Sequence, residues 1–509
     1  MSTDTPLVGI DFGTTNTVVH FVKNGKVEHY SFAQNSDLLP TKVFYKGGER
    51  LITGQKGDWI LQGYSAVKNV KRAIGKRFDE EDHDHDEEMF GTAPKRGADG
   101  LYWFTLDDGK DYSCVDISSM IFKEILELLR KRVGQELRDA VISVPANFNT
   151  TKRSLITQAA TSVGWNVLSI INEPSAAAVA ASVEKNMNGL ILVFDLGGGT
   201  LDVTVLEVVG DRYKVRASFG DPNLGGNDFD MALLEMVQED FRKTYNREMF
   251  AGISPKRLQK KKLQLMDSLI QQKEMLNTTT SITVDVNDYA DDDERDIVIT
   301  KDKYIHRCRP LLERCMDVVR KALALVTPKV TRNDIRHVIL VGGGSCFPTI
   351  DQRLTNEFPF AEIYGEKRME LVAKGCAQCG KMRLRPDFHV FDQLTTTIAI
   401  LMDPEPYPVF KAGTAFPSSL KMNLETDEPG ATSFEMTLVE MRGEKINDYH
   451  KLCSIVSSEF SAKETEHKRL EFIFNLSDDG ILSVQTYTLP ERRLCVNNTD
   501  ISIALFPVG

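Results

Sequence analysis

Leu190-Ile-Leu-Val-Phe-Asp195-Leu-Gly197-Gly198-Gly199-Thr200-Leu-Asp202-Val-Thr-Val205 is the stretch whose reading decides the fold. An apolar run enters an Asp, then three glycines, then a Thr and a second Asp. A strand that ends this way brings a carboxylate and a bare backbone turn to one point. The carboxylate suits a hydrated Mg²⁺, and glycine amides, with no Cβ in the way, suit phosphate oxygens. The pattern recurs near the N-terminus, where Leu7-Val-Gly-Ile-Asp11-Phe-Gly13-Thr14-Thr15-Asn16-Thr17 again drives an apolar strand into Asp, Gly and Thr. The doubled unit predicts two similar halves facing a cleft.

With 509 residues the chain exceeds one ordinary core, so two or more domains are expected. Its 41% hydrophobic and 27% charged content is that of a soluble globular protein. The net charge of -11 argues against a general binder of nucleic acid or anionic membrane. No apolar run approaches the roughly 20 residues of a membrane span. The start, Met-Ser-Thr-Asp-Thr-Pro, has neither a basic nor an apolar signal region, so a cytoplasmic location is expected. The sequons at Asn149, Asn277, Asn475 and Asn497 are then expected to stay unglycosylated, and the eight cysteines reduced. Cys376-Ala-Gln-Cys379 has no second pair and lies in a helical pattern, which favours packing over metal binding.

Leu7–Ile10, Ala140–Val144, Leu190–Phe194 and Val338–Val341 read as strands covered on both faces. Met120–Leu137, Thr150–Gly164, Pro255–Leu276 and Pro310–Val326 read as helices. The mixture predicts an α/β architecture over residues 1–386. Beyond Pro386 the chain turns strand-like, and Leu470–Leu476, Asp479-Gly480 and Ile481–Val484 carry a hairpin signal. Ile501–Leu505 alternates again. Residues 394–509 therefore read as a small antiparallel β-sandwich, joined through a linker at 387–393.

Four glycine turns stand out: Gly13-Thr14-Thr15, Gly197–Thr200, Gly225-Gly226 and Gly342-Gly343-Gly344. None is a Walker A loop or a Rossmann fingerprint, so a different phosphate-binding fold is required. The combination resembles the actin, sugar-kinase and heat-shock-protein-70 ATPase superfamily, and within it the heat-shock protein 70 (DnaK-like) chaperones. The resemblance rests on Ile10–Asn16, Lys71–Phe78, Val144–Asn149, Ile171–Ala178, Asp195–Thr200 and Phe474–Leu482, and covers nearly the whole chain. It implies a two-lobed actin-like ATPase, a duplicated ribonuclease H-like fold, followed by the β-sandwich. Asp11 and Asp195 would hold Mg²⁺ through water. Gly13, Thr14, Thr15, Asn16, Gly197, Gly198, Gly199, Gly225, Gly226, Gly342, Gly343, Gly344 and Lys273 would bind ATP or ADP. Lys71, Glu173, Thr200 and Asp202 would be catalytic, through positioning and charge neutralisation.

The base end departs from the family. The resemblance implies adenine held between two arginines, yet Glu274 and Cys346 stand at those positions, and Ile270 replaces a ribose-binding glutamate; Lys273 still matches. The linker, Asp387-Phe388-His389-Val390-Phe391-Asp392, places His389 inside an otherwise apolar patch, which would make coupling pH-sensitive if the imidazole docks in an apolar groove. No helical lid is expected after the sandwich, which is similar to ribosome-associated members. The expected function is an ATP-dependent chaperone in protein folding and the stress response. Its partners would be unfolded or nascent polypeptide, a J-domain co-chaperone and a nucleotide-exchange factor. The competing reading is a degenerate ATPase that binds nucleotide structurally and regulates a partner. A metabolite kinase and a filament fit poorly with the sandwich.

Overall fold

The computed structural model describes residues 6–32, 37–51, 64–80, 83–84, 86–133, 137–287, 289, 296–383, 385–403, 405–441, 449–457, 460–461 and 465–498. Two mixed sheets dominate the first part. β1 (Leu7–Phe12), β2 (Asn16–Lys23), β3 (Lys26–His29), β4 (Leu38–Pro40), β5 (Asp139–Val144) and β6 (Asn166–Asn172) form one, in the order β6-β5-β1-β2-β3 with β4 on β2. β7 (Gly189–Leu196), β8 (Leu201–Val209), β9 (Arg212–Asp221), β10 (Ile335–Val341), β11 (Glu362–Tyr364) and β12 (His389–Phe391) form the other, in the order β11-β10-β7-β8-β9-β12. β1 is antiparallel to β2 and parallel to β5, and β7 repeats this with β8 and β10. The doubled sequence unit is thus a doubled sheet, one per lobe.

The apolar runs all fall inside these strands, and the strands outrun them. β1 continues through Asp11 because Asp11 pairs in register with Ser143 and Val18. β10 begins at Ile335 and takes in Arg336 and His337, polar residues that hid its start. The longer helices are α1 (Cys114–Val133), α2 (Thr150–Thr161), α3 (Glu173–Lys185), α4 (Gly226–Tyr245), α5 (Pro255–Met275), α6 (Arg309–Ala324) and α7 (Leu371–Met382). α1 starts before Met120 because Ser113 and Asp116 cap it reciprocally: Ser113 Oγ accepts the Asp116 N–H at 3.1 Å, and the Asp116 carboxylate accepts the Ser113 N–H at 2.8 Å.

α3 and α7 cross closely between the lobes. A Cβ on Gly375 would lie 1.9 Å from the Ala176 carbonyl, and one on Gly9 2.3 Å from the Ala377 nitrogen. Only glycine permits both approaches. Ala176–Ala181 and both thiols of the Cys-x-x-Cys pair are buried in that crossing, and burial pushes the thiol pKa values up.

The C-terminal part has two antiparallel four-stranded sheets. β13 (Thr397–Ile400), β14 (Tyr407–Phe410), β15 (Ser418–Glu425), β16 (Glu435–Met441), β17 (Tyr449–Val456), β18 (Arg469–Leu476), β19 (Leu482–Thr488) and β20 (Arg493–Asn498) pair as β14-β13-β16-β17 and β15-β18-β19-β20. The Asp479-Gly480 turn joins β18 to β19, with Leu476 opposite Leu482 and Gly480 at φ +71. Ile501–Leu505 lies outside the described residues.

The sandwich rests on the lobes through buried polar contacts. Arg153 of α2 donates Nε to the Phe148 carbonyl at 3.0 Å, Nη2 to Asn172 and Nη1 to the Asp479 carbonyl at 3.4 Å. The Asp479 carboxylate accepts from Ser169 Oγ and the Ile170 N–H, both at 2.9 Å. Asp392 accepts from Ser175 Oγ at 2.5 Å and from the Asn172 N–H at 3.3 Å. The linker between them forms β12, parallel to β9. Strand alternation turns Phe388 and Val390 onto the core and leaves His389 exposed, so the imidazole does not enter an apolar groove.

Burial pushes the carboxyls of Asp392 and Asp479 above the ordinary carboxylate range, against their hydrogen bonds and Arg153; Asp478 adds to the rise at Asp479. The docked state therefore holds protons more tightly than the undocked one. That contribution is complete below the undocked pKa and is lost as pH rises through the docked values. Energy transfer between probes on α2 and on β16 is expected to report more docking as pH falls through the raised values of these two carboxyls. Asp392→Asn is expected to flatten that dependence.

Candidate functional site

A cleft of about 630 Å³ opens between the lobes. β1 delivers Asp11 to its floor. Gly13 then turns the chain so tightly that a Cβ there would meet the Asn16 carbonyl at 2.2 Å. β7 delivers Asp195, and the Gly197 N–H closes its own turn on the Thr200 carbonyl at 2.9 Å. The two turns face each other, since a Cβ on Gly198 would lie 2.4 Å from Thr15 Oγ1. The start of α4 is tied on: the Gly226 N–H donates to Gly197 O at 2.9 Å and the Asn227 N–H to Gly198 O at 2.7 Å. Gly342, at φ +79, lets the β10 turn approach the Leu196 carbonyl.

Asp11, Gly13, Thr14, Thr15 and Asn16 line this cleft, as do Lys71 and Glu173. So do Asp195, Gly197, Gly198, Gly199 and Thr200, together with Gly226, Lys273, Gly342, Gly343 and Gly344. Gly225 and Asp202 are not among the lining residues. Gly225 packs beneath, its Cβ direction blocked by Gly199 Cα at 2.4 Å. Asp202 is buried opposite Asp195 in the β7–β8 ladder.

Lys71 Nζ donates to Glu173 Oε1 at 2.5 Å, and the lysine is only 4% exposed. Around that ammonium stand Asp11, Asp195 and Asp202. Burial and the Glu173 charge push Asp11 and Asp202 up to about 7, and Lys71 opposes. Asp195 is raised as well, by burial, then by Glu173, Asp202 and Asp11. Ser143 Oγ donates to Asp11 at 3.0 Å, a partner that sequence reading passed over because Ser143 is one residue inside an apolar strand. Four carboxylates against one ammonium leave excess negative charge in a desolvated place. Carboxylates at two strand ends, raised in this way, fit a hydrated divalent cation. Asp11 and Asp195 would hold it through water, and it would neutralise phosphate charge.

A model of the Hsp70 protein family matches residues 7–499. The chain belongs to the Hsp70 family. It is 29% identical over 511 residues to the chaperone protein DnaK of Deinococcus proteolyticus, covering 97% of this chain and 79% of that one. It is 35% identical over 382 residues to DnaK of Thermus thermophilus, covering 73% and 60%. A ribosome-associated molecular chaperone of Nakaseomyces delphensis is 29% identical over 499 residues, with coverage of 94% and 79%. The two duplicated sheets and the sandwich are accordingly the two-lobed actin-like ATPase fold of an Hsp70, with its β-sandwich behind it.

The far end of this Hsp70's cleft is lined by Ile270, Lys273, Glu274, Cys346, Arg368 and Met369. Both cations there are already paired. Lys273 Nζ lies 2.7 Å from Asp230. Arg368, which sequence reading had not singled out, donates to the Gly365 carbonyl at 2.9 Å, to the Ser345 carbonyl and to Asp351 at 2.6 Å.

Removing one carboxylate relieves the crowding. Asp195→Asn is expected to stabilise the metal-free protein by on the order of 1 kcal/mol in calorimetry. The same variant is expected to lose most of the stabilisation that Mg²⁺ gives the parent chain.

Proposed function

We propose that this Hsp70 chaperone binds ATP with Mg²⁺ in the cleft and hydrolyses it slowly, coupling the cycle to capture of unfolded or nascent polypeptide. The observation that carries the reading is convergence: two strand-end aspartates, a buried Lys–Glu pair and three glycine turns line one cavity. In the proposed step, Lys71 and Glu173 orient the attacking water. Thr14, Thr15 and the Gly197–Thr200 turn hold the β- and γ-phosphates, with Asp202 buried alongside. Bound Mg²⁺ supplies charge neutralisation on the phosphates.

At the sandwich, Leu401, Met402 and Tyr407 are exposed around the β13–β14 turn. They support capture of extended apolar segments there. Asp392 is bonded to the first lobe while β12 is paired to the second, so a change in the angle between lobes reaches the sandwich directly. Partners of the J-domain and nucleotide-exchange classes belong to the same proposal. So does a cytoplasmic setting, which the eight free cysteines suit, with no helix among the described residues long and apolar enough to cross a membrane.

Steady-state hydrolysis with and without a J-domain protein tests the reading. Turnover stimulated by that protein and abolished in Lys71→Ala is expected. Nucleotide binding with no turnover at all would favour the regulatory, degenerate ATPase instead. The occupied cations at the base end predict a second outcome. Calorimetric titration should show ATP binding weaker by about 1–3 kcal/mol than in an Hsp70 that keeps both arginines, the range lost with base stacking, and little preference for ATP over GTP. Tight, adenine-specific binding would contradict it.

A further inference from the structure

Arg72 follows Lys71 in sequence but does not line the cleft. From the short helix Val70–Ala73 of the first lobe it reaches across to the second, where Nη2 donates to the Gly199 carbonyl at 2.5 Å. Gly199 sits in the turn between β7 and β8. A Cβ placed on it would fall 1.8 Å from the same nitrogen, so the guanidinium lies directly against glycine backbone. Gly225 packs on the same residue, and the Gly225 N–H donates to Asp228 at 2.7 Å. Asp228 is also the acid that supports the Arg72 charge against its burial. Arg72 Nε is buried, with no hydrogen-bond partner among the described residues.

The carbonyl that Arg72 grips belongs to the Gly199–Thr200 peptide. That unit is planar and trans, so the Thr200 N–H points opposite to the carbonyl, away from the guanidinium. We propose that Arg72 is a positioning residue for phosphoryl transfer: it pins this peptide so that the Thr200 N–H faces the cleft. It does so from the other lobe, which makes the phosphate turn complete only while the lobes are closed. The inference rests on the hydrolytic reading of the cleft. A preorganised backbone donor at a developing phosphate charge acts in the transition state more than in the ground state.

Two variants and two readouts test it. Arg72→Met keeps the stem and loses the donor, and Arg72→Lys keeps the charge with a single, shorter donor. For Arg72→Met, kcat should fall on the order of 10–100-fold while the KM for ATP moves much less. Amide hydrogen exchange at residues 197–201 of the nucleotide-free protein should accelerate, with exchange in the sandwich unchanged. Arg72→Lys should lie between, and it carries the test if Arg72→Met does not fold. Gly199→Ala, which displaces the guanidinium from the other side, should give the same phenotype without adding to Arg72→Met. Unchanged kcat together with unchanged exchange overturns the proposal. If the parent chain neither binds nor hydrolyses ATP, the hydrolytic reading fails. The exchange comparison then still decides whether Arg72 orders the turn.

Discussion

Asp11, Glu173, Asp195 and Asp202 crowd one ammonium group, that of Lys71, at the bottom of the cleft. Such an arrangement is unfavourable by itself, because like charges are drawn together out of water. The surrounding architecture exists to hold it. Asp11 and Asp195 each lie one residue before the end of a central strand, where the ladder on both sides fixes the backbone. Glycine turns leave backbone donors and open space beside the carboxylates. The close α3–α7 crossing keeps the two sheets at a set separation, and a single Cβ at Gly375 would force them apart. A cleft built around unbalanced charge is one whose crowding a bound cation would relieve.

The two ends of the cleft are furnished differently. The end nearest Asp11 and Asp195 is lined by glycine backbone, by threonine and asparagine side chains, and by charged groups held by their neighbours. At the base end the cations are committed elsewhere, Lys273 to Asp230 and Arg368 to carbonyls and Asp351. Glu274 and Cys346 offer no planar cation.

Much of this was legible in the chain. Asp11 and Asp195 announce themselves because a buried strand gains nothing from ending on a carboxylate unless that charge meets a ligand, and the repeat of the unit gave the two-lobed plan. Hydrophobic periodicity placed most central elements but missed the ends, as at Asp11 and Ile335, since pairing rather than polarity decides where a strand stops. Long-range polar contacts left no local mark. Nothing near Arg153 points to Asp479, and nothing near Arg72 points to Gly199: a basic pair in a short helix looks the same whether it faces solvent or bridges two lobes. His389 was misleading for the opposite reason. It interrupts an apolar patch in sequence, yet strand alternation sends it outward without disturbing the patch.

The linker strand has one more role. β9 is flanked on one side by β8 and on the other only by β12, a three-residue strand. Whenever the linker leaves, the N–H and C=O groups of β9 beside it lose their ladder and become an open template for any extended chain. The gap is short, and Arg212 and Lys214 stand exposed on either side of buried Tyr213. Those two cations are the kind of guard that keeps an uncovered sheet edge from recruiting a neighbour. The segment that ties the sandwich down thus also covers this edge of the second lobe, and its brevity limits how much edge depends on it.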